Sequence, residues 1–82
     1  MHIVIKRGYC AGKTIKVIKW QYPDPCGEGD YIGYSVDITG RGWQWGTLHS
    51  SRNTPESCWE YAVRTLRYSH PRAKISVLDI TK

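Results

Sequence analysis

From residue 31 to residue 39 the chain alternates without a break. Ile32, Tyr34, Val36 and Ile38 point one way; Tyr31, Gly33, Ser35 and Asp37 point the other. A period of two is the pattern of a strand buried on one face only. Thr39-Gly40-Arg41-Gly42 follows, whose glycines accept the positive φ of a tight turn. Residues 43–49 then return, with Trp43, Trp45 and Thr47 on one face. Strand, glycine-rich turn and returning strand imply an antiparallel sheet, and a sheet with one apolar face needs a cover.

The cover is written at residues 55–69. Thr54 suits a helix N-cap, Pro55 the first helical position, and Glu56 the positive end of the helix dipole. At 100° per residue, Cys58, Trp59, Ala62, Val63, Thr65 and Leu66 form one apolar stripe, opposite Glu56, Glu60, Arg64 and Arg67. Tyr61 and Tyr68 lie on one flank. His70-Pro71 ends the helix. Residues 50–53 read as a polar linker.

Three more strands complete the pattern. Residues 2–6 are β-branched and short. Residues 8–12 read as a turn. Residues 14–20 make a second strand whose apolar phase slips between Val17 and Ile18, which predicts a bulge or burial on both faces. Residues 22–30 form a loop with two prolines, two glycines and three acids. Residues 74–80 make the last strand. The expected fold is α+β: one small domain over residues 1–82, in the order β-β-β-β-α-β. It is a mainly antiparallel sheet of four or five strands with one helix packed on one face. Should the last strand run parallel beside a strand that leads into the helix, the crossover would be right-handed.

With 82 residues, large nucleotide-dependent folds are excluded by length. The chain has four Trp, six Tyr and no Phe, so every aromatic ring carries a polar group, which suits interfaces as well as cores. Twelve Lys and Arg against seven Asp and Glu give a net charge of +5, unevenly spread. Residues 1–22 hold Lys6, Arg7, Lys13, Lys16 and Lys19 and no acid, whereas residues 23–37 hold Asp24, Glu28, Asp30 and Asp37 and no base. Such a field favours polyanionic partners, although many small soluble domains carry a similar charge.

Gly8-Tyr9-Cys10-Ala11-Gly12-Lys13-Thr14 imitates a phosphate-binding loop after a strand. It has three residues between its glycines where that loop needs four. It also leads into strand-forming Ile15-Lys16-Val17-Ile18 rather than a helix, so a hairpin turn is expected. Cys10, Cys26 and Cys58 are odd in number and far apart, which predicts neither a disulfide framework nor a zinc site and favours a reducing, cytoplasmic setting. No secretory signal or membrane-spanning stretch is read. Cys58 with His49 is a conceivable nucleophile and base, set against a buried, inert Cys58 on the apolar stripe.

Three functions compete. The first is a non-catalytic module binding DNA, RNA or a nucleoprotein through Lys13, Lys16, Lys19, Trp20, Arg41, Trp43, Trp45 and Arg52. Trp43 and Trp45 either lie under the helix or stand on the open face as stacking platforms. The second is a regulator or inhibitor of the kind phages and other mobile elements encode. It would bind a host protein through the acidic loop, through Tyr61 and Tyr68, or by docking its basic strand onto an acidic surface. The third, ranked last, is a thiol enzyme using Cys58. No metal, cofactor, small-molecule substrate or membrane partner is expected.

One resemblance bears on the first reading. Trp43-Gln44-Trp45-Gly46-Thr47-Leu48, followed by Thr54, Glu56 and a helix with Tyr61 and Ala62, resembles plant ethylene-response-type DNA-binding domains. That resemblance implies a three-stranded sheet laid in the major groove with a helix behind it. The stretch between Thr47 and Glu56 is longer than in that family, and the family's arginine-rich first strand is missing.

Overall fold

The computed structural model describes residues 2–23, 27 and 29–79. Five strands, β1 (His2–Cys10), β2 (Lys13–Pro23), β3 (Asp30–Gly40), β4 (Trp43–Gly46) and β5 (Ile75–Asp79), form one open sheet, and one helix, α1 (Pro55–Ser69), precedes β5. The sheet order is β4-β3-β2-β1-β5, and every pairing is antiparallel. The last strand therefore lies antiparallel on β1, at the edge opposite β4, and is not part of a parallel crossover.

The strands run longer than the sequence suggested at their turn ends. β1 continues through Gly8, Tyr9 and Cys10, so the first turn is only Ala11 and Gly12, at φ 52° and 77°. Two successive positive φ angles match the right-handed twist of a hairpin, and Lys13 opens a strand rather than a helix. At the second turn Gly42 alone is left-handed, at φ 68°. Gly40 serves differently: a side chain there would meet Lys13 Cγ at 3.0 Å, so its absence lets Lys13 lie across it. β4 is shorter than expected. Beyond Gly46 the chain detours, and Ser50 then bridges back to Tyr34.

The phase slip at Val17 and Ile18 resolves as burial on both faces, at 0 % and 6 % exposed. The bulge sits in the partner strand instead, between Val4 and Lys6. Cys10, Ile15, Val17, Val36 and Ile38 of the sheet meet Cys58, Ala62 and Leu66 of α1 in the core. Trp45 stacks on Tyr61 with centroids 5.3 Å apart and planes 13° apart, so it belongs to the helix side of the sheet. The side chain of Trp43 lies outside the described residues.

α1 is capped as the sequence predicts and more completely. Thr54 Oγ1 accepts from the Ser57 amide at 3.0 Å, and Ser57 Oγ accepts from the Thr54 amide at 2.9 Å, a reciprocal capping box. Trp59 reaches sideways from α1 onto β1. A Cβ on Gly8 would meet Trp59 Cη2 at 2.3 Å and the Ser76 carbonyl oxygen at 2.7 Å. Gly8→Ala must therefore displace either the indole or β5. It is expected to cost about 1–3 kcal/mol, as overpacking does, with a red-shifted tryptophan emission. An unchanged denaturation midpoint would contradict this packing.

Candidate functional site

Both hairpin turns fall at the same end of the sheet, and α1 also ends there. Ala11, Gly12, Lys13, Gly40, Arg41 and the last turn of α1 line a cleft of about 440 Å³. His70 caps α1, its amide donating to the Leu66 carbonyl at 2.8 Å, and its buried Nδ1 has no hydrogen-bond partner. Ile75 pairs with Cys10, so Lys74 enters the sheet beside the first turn, and exposed Arg72 lies in the bend before it. Lys13, Arg41 and His70 thus share the cleft, and Arg72 and Lys74 lie at the same end of the sheet, with Arg67 in the adjoining helical turn. The helix C-terminus carries a partial negative charge, and the lysines and arginines of this end exceed it. Asp30 lies at the far end of β3, paired with Pro23, in a molecule 47 Å along its longest axis.

The face of the sheet away from α1 carries a second group. Lys16 pairs with Arg7 on one side and Asp37 on the other, so two cations and one acid sit abreast. Four residues further along β2, the Trp20 indole Nε1 donates to Ser35 Oγ at 2.7 Å, which fixes the ring across the sheet. His2 packs on it at 4.8 Å and His49 stacks on it at 5.0 Å, between centroids. Tyr22 and Tyr31 each stand 6.1 Å from His49. Three residues bring His49 here. A side chain on Gly33 would meet the Ser50 backbone at 3.1 Å, the Ser51 amide donates to the Tyr31 hydroxyl at 3.1 Å, and Asn53 Nδ2 donates to the Tyr34 carbonyl at 2.8 Å.

The structure divides the eight residues singled out in the sequence. Lys13 and Arg41 come together in the cleft. Lys16 and Trp20 share the open face. Lys19, paired with Tyr34 and Ile3, has the helix-side phase of Val17. Arg52 is exposed beside Ser50, at the end away from Arg41, with its amide donating to Ser50 Oγ at 3.1 Å. Trp45 is engaged by Tyr61, and Trp43 is described only through its backbone pairing with Gly40.

Sequence reasoning passed over Arg7, His2 and Tyr31 as partners of Lys16 and Trp20; it placed Tyr22 beside Trp20 at the end of the second strand and left both open between core and stacking surface. No local signal points to His49, or to the gathering of His70, Arg72 and Lys74 at the hairpin turns.

Cys58 is buried in the core, whereas His49 lies on the opposite face, so that pair does not assemble. Burial pushes the Cys58 thiol above its ordinary value, offset only in part by its hydrogen bond with Ser57. Cys10 and Cys58 are unpaired and buried; Cys26 lies outside the described residues. Among the described residues no three His, Cys, Asp or Glu side chains are grouped to hold a metal, and no helix is long and apolar enough to cross a membrane.

No protein family matches this chain, and neither does any curated protein or solved structure. The sheet differs from that of the ethylene-response-type domains in having five strands among the described residues rather than three, and Trp45 packs on Tyr61 on the helix side.

Proposed function

We propose that this chain is a non-catalytic module that binds single-stranded nucleic acid along the open sheet face and around the basic end. The observation that carries the reading is the cleft shared by Lys13 and Arg41, with Arg72 and Lys74 at the same end of the sheet, remote from Asp30. Arg7 and Lys16 continue the positive charge onto the open face, and Trp20, Tyr22 and Tyr31 follow it. From Lys13 to Trp20 the strand rises roughly 23 Å, at about 3.3 Å per residue. A phosphate backbone can follow such a path while its bases reach the rings. Phosphate contacts set affinity with little sequence information, and stacking on aromatic rings tolerates every base. Exposed Tyr22 and Tyr31 offer those ring faces, while the Ser35 hydrogen bond holds Trp20 in place beneath them.

The test is anisotropy of labelled single-stranded and duplex oligonucleotides titrated with the protein across a salt series. Binding that weakens linearly in log K against log salt, and is tighter for the single strand, is the expected result. Tyr22→Ala with Tyr31→Ala should erase the single-strand preference and leave the salt slope in place. No binding at low salt would overturn the proposal and leave the protein-directed regulator as the reading to pursue.

A further inference from the structure

The sheet is wider than its cover. Five strands at roughly 4.8 Å spacing span about 19 Å between outer axes, while one helix is about 10 Å across. α1 lies over β2 and β3. The helix side of β5 is covered only in part: Ile75 packs at the edge of the core, and Val77 is 50 % exposed. Between α1 and β5 runs a groove of about 590 Å³ floored by Trp59, Val63, Ile75 and Val77 and rimmed by Arg64 and Arg67. Among the described residues Glu60 is the acid at this rim. β5 pairs with β1 alone among the described strands, so one row of its backbone N–H and C=O groups faces outward. An exposed edge of this kind is a template for another strand.

We infer that β5 and the α1 groove accept an extended acidic segment of a partner protein as a sixth strand, with alternate apolar side chains seated between Trp59, Val63 and Val77. Main-chain hydrogen bonds to the edge supply affinity, and the groove selects side chains at every second position, which is how strand addition recognises peptides. The occupant is acidic because the rim carries two arginines against one glutamate and the chain is +5 overall. The same charge disfavours a second copy, since two such chains repel. This surface lies on the helix side, away from Lys16 and Trp20, and meets the surroundings of the basic end at Arg67.

The experiment uses the intact protein and a fluorescein-labelled nonapeptide whose odd positions, facing the groove, carry valine in the middle and glutamate at both ends, with threonine at the even positions. Saturable binding is expected, with slowed amide exchange in β5 and shift changes along α1 from Trp59 to Arg67. Val77→Lys, at a half-exposed site, should weaken binding by more than about tenfold, as loss of a groove anchor does. It should not change the circular dichroism or oligonucleotide binding. Arg64→Glu with Arg67→Glu, both on the exposed face of α1, should also weaken it and so checks the assignment without touching β5. Four results would overturn the inference: no saturable binding; equal binding by a peptide N-methylated at alternate residues; unchanged exchange in β5; or a concentration-dependent dimer that Val77→Lys dissolves, which would make the occupant a second copy.

Discussion

Replacing Lys13 and Arg41 together by alanine is expected to flatten the salt dependence of single-strand binding by about 1.4 units, at about 0.7 per cation engaged. At an ionic strength of roughly 0.1 M the same release of counterions corresponds to about a 25-fold loss of affinity. The two residues are far apart in sequence. They act together because the first turn and the second turn lie on neighbouring hairpins of one sheet, with Lys13 lying over Gly40. Arg41 is exposed in its turn, so its removal costs the fold little, and Lys13→Ala gives up the packing of its stem on that glycine. The melting temperature should therefore move by a few degrees at most. Lys19→Ala and Arg52→Ala serve as charge-matched controls, since the structure puts the first on the helix side and the second at the other end. A slope that responds to Lys19 and not to Lys13 and Arg41 would remove the basic end from the binding surface.

Leu66→Ala should be among the most damaging single truncations in the chain, at about 2–5 kcal/mol. Leu66 is 2 % exposed and is the largest of the three buried α1 side chains in the core cluster. For a domain of this size the whole stability is roughly 4–12 kcal/mol, at about 0.05–0.15 kcal/mol per residue. The change would lower Tm by roughly 10–30 °C. Leu66 also lines the cleft beside Lys13 and Arg41, so part of the void can fill with water, and the loss should fall in the lower half of that range. Arg64→Ala, on the exposed face two residues earlier, should cost well under about 1 kcal/mol. Equal, small losses from both variants in a denaturant titration would contradict the packing of α1.

Elements whose signal is local were legible in the sequence. The alternation around Val36, the turn at Gly42, and the capping of α1 by Thr54 rest on side-chain period, backbone permissiveness and hydrogen bonds within three residues; the reciprocal bond from Ser57 was not read there. These do not depend on what lies across the sheet. The apolar stripe of α1 likewise named Cys58, Ala62 and Leu66 before any packing was known. The ends of β1 and the role of Gly8 were not legible, because a glycine beside a turn signal reads as loop. The indole of Trp59, fifty-one residues away in the chain, and the Ser76 carbonyl oxygen together explain why that position must lack a side chain.

The same divide runs through the candidate site. Lys16 and Trp20 share a face by the period of two, which the sequence carries. Whether Trp45 stood on the open face or under the helix depended on which face α1 covers, and periodicity is symmetric between the two faces of a sheet. Tertiary structure alone decided this, through Tyr61 stacking on Trp45. It also decided the strand order, which brings the two hairpin turns and the end of α1 to one place. Short-range physics sets each strand and turn. The meeting of residues such as His49 with Trp20, or Lys74 with the first turn, depends on long-range pairing that no local pattern encodes.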